Sequence, residues 1–159
     1  LFLNIIIYGT ELLLEKLLEI PHEKLSIKDA IKAFFSTYRE FSMTHQQYFK
    51  MGFADVTPEV LGKADPETLR KLTQVSMACM NEAVKVAQRA IDAKVVIPVD
   101  PWETAGVFLA AATGNIAFTL GPGQTVFPSS SLESINNNSI DIILRGILAD
   151  PNSGRENIV

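Results

Sequence analysis

Apolar residues recur along most of the chain at the three- and four-residue spacing of an amphipathic helix. In residues 1–19, for example, Leu13 and Leu17, each followed by another leucine, form an apolar stripe, while the glutamates of the same segment stack on another face. No long segment alternates as a strand, because the β-like residues 95–99 are too few to found a sheet. The pattern therefore predicts an all-α protein.

Capping residues set the boundaries of the predicted helices. An Asp-Pro pair begins two of them, at Asp65 and Asp100, since Asp caps free amides and Pro is tolerated at the first helical position. Ser26 and Ser130 are the predicted caps of two others. The prediction is a helical bundle of about five long helices, at residues 1–19, 26–44, 65–95, 100–120 and 130–149, with one short helix at 45–53.

The first predicted helix has no capping residue before it. Leu1 opens an apolar run without a starting Met, whereas helices normally begin after Ser, Thr, Asp or Asn. The pattern favours a chain that starts inside a helix, with further sequence upstream. The alternative is an apolar strand at a true N-terminus. We expect one domain at residues 1–150, followed by a polar tail at 151–159.

The composition is apolar for a protein of 159 residues, with 47% hydrophobic residues and a mean hydropathy of +0.18. Such a composition indicates either a large core or an apolar surface that a partner covers. The net charge is −4 and no basic stripe is present, which argues against DNA binding by these residues themselves. The single cysteine excludes an intramolecular disulfide and favours the cytoplasm.

The segment from Thr104 to Leu132 carries no charged residue. A membrane span needs about 20 mostly apolar residues. Here the apolar segment is shorter, contains Thr and Asn side chains, and is interrupted by Gly121-Pro122-Gly123. We therefore predict that the protein does not enter a membrane.

Small residues recur on one face of the fourth long helix, which lets another helix approach closely. The fifth long helix has small residues two turns apart, flanked by large aliphatic residues. Two such helices pair well with their two-fold copies as a four-helix bundle, so we predict a homodimer; the alternative is packing within the monomer alone. The predicted interface residues are Gly106, Ala110, Gly114, Ala117, Ser139, Ile140, Ile143, Leu144, Gly146 and Ile147.

The chain offers little of the chemistry of an active site. His22 and His45 lie in different segments without metal-ligand spacing. Cys79 lies in mid-helix among apolar residues, rather than beside the cations that activate a thiolate. No Walker-type lysine follows the Gly-Pro-Gly turn. We therefore predict no enzyme activity, no metal and no cofactor.

Aromatic and methionine residues are concentrated on three segments that a helical bundle brings together. Apolar pockets with a few polar groups are the usual sites of small ligands, and Met adapts to irregular shapes. The alternative is a plain filled core. The predicted ligand-binding residues are Phe34, Tyr38, Phe41, Tyr48, Phe49, Phe53, Met77, Met80, Asn81 and Phe108.

The order and lengths of the helices, with several short motifs, resemble the C-terminal part of TetR-type transcriptional regulators. Residues 8–13 (Tyr-Gly-Thr-Glu-Leu-Leu) resemble the helix that follows the DNA-binding head of that family. Residues 44–49 (Thr-His-Gln-Gln-Tyr-Phe) resemble its bend after a long helix. The Asp100-Pro101 helix and the last helix, with residues 141–147, resemble the two helices that dimerise such proteins.

The resemblance implies a cytoplasmic homodimer that binds operator DNA through an N-terminal helix-turn-helix, and releases it when a small apolar or aromatic effector enters the pocket. That head is absent from these residues, and the helix at 1–19 would join it to the pocket. A helical lipid or small-molecule carrier, or an enzyme, is the alternative use of the same cavity, as is a dimerisation module with a filled core. The candidate polar residues for an enzyme are Tyr38, Tyr48, Asn81 and Asn115.

Overall fold

The computed structural model describes residues 1–149, apart from the side chains of Ala54, Ser130, Glu133 and Asn136. The predicted all-α class is confirmed, and the predicted tail at 151–159 lies outside the described residues. A π-helical turn (Met51–Asp55) lies between α3 and α4. The α-helices are α1 (Phe2–Leu18), α2 (Ile27–Thr44), α3 (Gln46–Lys50), α4 (Pro58–Gly62), α5 (Pro66–Asp92), α6 (Pro101–Leu120), α7 (Gly123–Val126) and α8 (Ser129–Ile147).

Three of the predicted helix starts are confirmed by side-chain caps. The side-chain oxygens of Ser26, Asp65 and Asp100 each accept a hydrogen bond from the backbone N–H three residues later, at 3.1, 2.9 and 2.8 Å. Pro66 and Pro101 occupy the first helical positions, as predicted. These starts were predictable because every atom involved lies within one helical turn.

The predicted start of α8 at Ser130 is wrong. The helix begins at Ser129, Pro128 is the residue before it, and no side chain caps it. Because the backbone N–H of Leu132 bonds to the Pro128 carbonyl (3.2 Å), the first turn forms without a serine cap. Among the described residues there are also three short α-helices rather than one, each of five residues or fewer. Helices of that length are too short to show a periodic pattern in the sequence.

α5 is the central helix of the fold. It packs mainly against α1 on one side and α6 on another, while α6 also packs against α8. α2 joins this arrangement through a core cluster of Ala30, Ile31, Val86 and Leu144, which brings together side chains from α2, α5 and α8. α1, α2, α5 and α6 thereby surround a common interior.

A short backbone pairing fastens the end of α8 to the connection between α5 and α6. The N–H of Ile97 donates to the carbonyl of Ile147 (2.8 Å), and the N–H of Ala149 donates to the carbonyl of Val95 (3.1 Å). The β-like residues 95–99 therefore contribute an isolated bridge, between Val96 and Leu148, rather than a sheet. Within residues 1–149, no helix combines the length and the apolar composition that crossing a bilayer requires.

Candidate ligand cavity

A cavity of about 350 Å³ lies between α1, α2, α5 and α6. Its volume falls in the range of small-ligand pockets, about 300–1,000 Å³. Three phenylalanines and Tyr38 are its aromatic lining residues, and two of them, Phe35 and Phe108, meet edge to face with ring centroids 5.4 Å apart. This main cavity is lined by Thr10, Leu13, Leu17, Ile31, Phe34, Phe35, Tyr38, Gly52, Ser76, Cys79, Met80, Ala83, Val86, Ala87, Ala90, Val96, Thr104, Ala105, Phe108, Leu109, Ala112 and Ile147.

Every described residue that lines the main cavity is neutral at physiological pH. The Thr10 hydroxyl donates to the carbonyl of Ile6 (2.8 Å), and the Cys79 thiol donates to the carbonyl of Thr10 (3.7 Å). Burial raises the pKa of the Cys79 thiol to about 11, so the thiol stays protonated at neutral pH. Because a protonated thiol is a poor nucleophile, Cys79 acts as part of the cavity wall.

A smaller cavity of about 250 Å³ adjoins the main one, and four residues line both: Thr10, Leu13, Tyr38 and Gly52. It lies beneath α3 and the π-helical turn, which supply most of its aromatic wall. α3 can approach α1 closely here because Gly9 has no side chain. A Cβ atom at this position would lie only 2.7 Å from the Tyr48 ring. The other lining residues are Ile6, Gly9, Phe41, Ser42, Tyr48, Phe49, Phe53 and Thr113.

The structure brings eight of the ten predicted ligand-binding residues to these two cavities. Phe34, Tyr38, Met80 and Phe108 line the main cavity. The predicted aromatic residues of the bend, Phe41, Tyr48, Phe49 and Phe53, line the smaller one.

Met77 and Asn81 lie at neither cavity. They line a shallow groove on the outer side of α5, and the Met77 side chain is 49% exposed. Their positions around the helix direct both side chains away from the interior, whereas the neighbouring Met80 lines the main cavity. The sequence held a signal that separates them, because Met77 and Asn81 share one helical stripe with exposed polar residues such as Gln74.

Sequence reasoning missed the contribution of α1 and of the small residues on α5. Thr10, Leu13 and Leu17 line the main cavity from α1. On α5, Ala83, Ala87 and Ala90 follow one another at helical spacing and leave open the space that larger side chains would fill. That row of alanines was a readable signal for a cavity.

The predicted interface residues of α6 are divided between two faces. Ala110 and Gly114 are exposed, and a side chain at Gly114 would meet no atom within 4 Å. Gly106 is half-buried, and a side chain there would lie 3.8 Å from the Met80 methyl group. Ala117 is also half-buried.

The predicted interface residues of α8 are divided in the same way. Gly146 is exposed and has open space at its Cβ position. By contrast, Leu144 is 7% exposed within the chain, Ile140 packs against the core cluster, and Ile147 lines the main cavity. Ile143 is half-buried, and the Ser139 hydroxyl accepts a 2.6 Å hydrogen bond from the Asn115 amide, which ties α8 to α6.

A polar cluster outside the cavities fastens the α1–α2 connection to α5. Glu82 is buried, its carboxylate lies 2.6 Å from the Lys85 ammonium, and its second oxygen lies 3.6 Å from Nε2 of His22. The Arg89 guanidinium donates to the backbone carbonyls of His22 and Leu25. Across residues 1–149, no group of three or more His, Cys, Asp or Glu side chains is placed to hold a metal ion.

The fold has a counterpart among solved structures. A protein described as having unknown function, from Rhodococcus sp. RHA1, matches with a TM-score of 0.74 and 18% sequence identity; the match covers 92% of this chain and 71% of that one. No protein-family profile matches the sequence. No curated protein matches it either. At this level of identity, the structural likeness shows a shared fold.

Proposed function

We propose that this chain is the ligand-sensing and dimerising domain of a TetR-type transcriptional regulator, a repressor that acts in the cytoplasm. The observation that carries the proposal is the neutral main cavity of about 350 Å³, with three residues of α1 in its wall. The effector is a small, largely apolar molecule. Operator DNA is bound by an N-terminal helix-turn-helix outside these residues, and the domain itself is not an enzyme.

α1 is the element through which an effector would act. Thr10, Leu13 and Leu17 of α1 line the cavity. The first turns of α1 extend from there toward the N-terminus, the side on which the proposed DNA-binding head would be attached. A ligand that binds one position of α1 more tightly than another shifts the population toward it. A shift from 1:99 to 99:1 requires about 5.5 kcal/mol of differential binding. Burial of roughly 200 Å² of apolar surface, at about 25 cal/mol per Å², supplies a similar amount.

The exposed apolar residues of α6 and α8 support the proposed homodimer. Val107 is 56% exposed and Ile142 is 69% exposed, although both are aliphatic. Gly114 and Gly146 leave open space on the same two helices, which pack side by side within the chain. A second copy of this helix pair would cover these residues and complete a four-helix bundle.

Binding in the main cavity is tested by thermal unfolding with a panel of neutral apolar and aromatic compounds. At 100-fold over its dissociation constant a ligand contributes about 2.7 kcal/mol, so a binding compound should raise the Tm by about 5 °C or more. Ala87→Phe should remove the response by filling the cavity. Ala78→Phe is the matched control, since Ala78 lies on α5 but lines the outer grooves. No shift in the wild-type chain with any compound would contradict the proposal.

Sensing, as distinct from binding, is tested by hydrogen exchange of the α1 amides with and without a compound that raises the Tm. We expect the exchange rates of α1 to change, because three of its side chains contact the cavity. A bound ligand that leaves α1 unchanged would contradict the sensing role and would instead fit a carrier that uses the same cavity.

A further inference from the structure

The two cavities meet at a pair of hydroxyl groups. The Tyr38 hydroxyl lies 3.0 Å from the Thr113 hydroxyl, and the pair joins α2 to α6. Tyr38 lines both cavities, and Thr113 lines the smaller one. A molecule that extended from one cavity into the other would therefore pass this pair.

Three other hydroxyl groups of the walls are bonded to backbone carbonyls four residues earlier in the chain. Thr10 donates to the carbonyl of Ile6, Ser42 to that of Tyr38, and Thr104 to that of Asp100, each four residues earlier. The protons of these hydroxyls are used within the helices, so their ability to donate to a ligand is limited.

The Tyr38–Thr113 pair keeps one proton available. Each hydroxyl has one proton, and their mutual hydrogen bond uses only one of the two. Burial raises the pKa of Tyr38, although its hydrogen bond with Thr113 opposes the shift, so the phenol remains a proton donor at neutral and mildly alkaline pH. The pair is thus equipped to donate a hydrogen bond to an acceptor atom.

Neither cavity provides a partner for a charge. All described lining residues of both cavities are neutral at physiological pH. An ionised ligand would lose its hydration without gaining an opposite charge, which is strongly unfavourable. An uncharged ligand with one acceptor oxygen would lose one hydrogen bond to water and regain one from the hydroxyl pair.

We propose that the effector is an uncharged, largely apolar molecule with one hydrogen-bond-accepting oxygen between two apolar parts, and that Tyr38 and Thr113 determine this specificity by donating to that oxygen. The proposal rests on the proposed ligand-sensing function. It specifies the chemical class of the effector: a ketone, an ester or a similar neutral oxygen compound, with an apolar group in each cavity.

Three probes of one shape test the proposal by titration calorimetry. Benzophenone carries a carbonyl between two rings, diphenylmethane keeps the shape without the acceptor, and 4-benzoylbenzoate adds a carboxylate. The wild-type chain should bind benzophenone about five- to tenfold more tightly than diphenylmethane, the value of one net hydrogen bond. It should bind 4-benzoylbenzoate at least about tenfold more weakly than benzophenone.

The double variant Tyr38→Phe/Thr113→Val supplies the decisive comparison. It removes both hydroxyls and preserves the shapes, so its Tm should stay close to the wild-type value. It should bind benzophenone and diphenylmethane equally. Tyr48→Phe is the matched control, since it removes a hydroxyl from the smaller cavity outside the pair and should keep the preference for benzophenone.

The outcomes separate this proposal from the proposed function. Equal binding of benzophenone and diphenylmethane by the wild-type chain would overturn the specificity proposal and leave ligand binding in place, as would a preference that survived in the double variant. Tighter binding of 4-benzoylbenzoate would overturn the claim that the ligand is uncharged. Failure of all three probes to bind would count against the proposed ligand-sensing function itself.

Discussion

α5 and α6 pack against each other and both line the main cavity, but their outer faces differ in composition. Exposed positions of α5 are mostly polar, whereas those of α6 are mostly apolar or small. The exposed residues of α5 are Pro66, Glu67, Arg70, Lys71, Thr73, Gln74, Ser76, Met77, Asn81, Lys85, Gln88 and Asp92; those of α6 are Trp102, Glu103, Val107, Leu109, Ala110 and Gly114.

The difference shows that a helix facing a cavity need not be amphipathic. α5 has one polar face for water and one face of small and apolar residues for the interior. α6 is apolar on both faces, and its outer face remains exposed in the part of the chain that the structure describes. In our proposal a second copy of the chain covers that face, and α6 serves the ligand on one side and the dimer on the other.

The largest effect should come from the inward face of α6. Ile116 is 2% exposed, so Ile116→Ala should lower the free energy of unfolding by about 2–5 kcal/mol through lost burial and a new cavity. Urea unfolding at one protein concentration measures the change. Met77→Ala, on the outer face of α5, should cost less than about 1 kcal/mol. Equal losses of unfolding free energy in the two variants would show that the inward face of α6 is packed no more tightly than the outer face of α5.

The outer face of α6 should control association. Gly114→Arg places a charge where the folded chain has open space, so the fold should persist while the dimer dissociation constant rises about 100-fold or more. Sedimentation velocity over a range of concentrations measures this constant. Gly62→Arg is the matched control, because Gly62 in α4 also has open space at its Cβ position and lies on neither α6 nor α8. An unchanged constant for Gly114→Arg would place the interface elsewhere.

A thiol on the inner face of α5 should react more slowly than a thiol on its outer face. Because burial raises the pKa of Cys79 from 9.0 to about 11, its thiolate population at pH 8 falls by about 100-fold. We expect reaction with a disulfide reagent at pH 8 to be about 10- to 100-fold slower than for a thiol introduced on the outer face by Gln74→Cys in a Cys79→Ser background. Similar rates would contradict the placement of Cys79 in the cavity wall.

The smallest effect concerns how α5 and α6 end. Two residues after the end of α5, Lys94 adopts the left-handed conformation (φ 56°), and the N–H groups of Lys94 and Val95 bond back to the carbonyls of Ile91 and Ala90. α6 is followed by Gly121, where a Cβ would lie 3.1 Å from the Ala117 carbonyl oxygen. Lys94→Gly should therefore stabilise the fold by about 0.5–1 kcal/mol. Lys94→Ala is the control and should give no gain; a gain for alanine as well would point to the lysine charge instead.

Local signals explain which parts of the fold were predictable. The Asp-Pro starts of α5 and α6 and the Ser26 cap of α2 were predicted to the residue, because each depends on atoms within one turn. The predicted cap of α8, Ser130, lies two residues after the observed cap position, Pro128, because proline has no side-chain oxygen that would mark it as a cap.

Non-local geometry explains what was missed. α6 has apolar or small residues around its whole circumference, so its sequence did not show that Gly106 faces Met80 while Gly114 faces open space. The cavity wall from α1 was missed because Leu13 and Leu17 look like ordinary core residues until α2 and α5 are in place. Aromatic residues of the bend were found because four of them fall within 13 residues.

The most direct test of the account is the mass of the wild-type chain in solution, measured by sedimentation equilibrium at micromolar concentration. The chain mass is 17.5 kDa. If a second copy covers the outer face of α6, the measured mass is twice that value and falls toward the chain mass for Gly114→Arg. A wild-type mass equal to that of one chain across the whole concentration range would contradict the proposed dimer and leave the apolar outer face of α6 without its explanation.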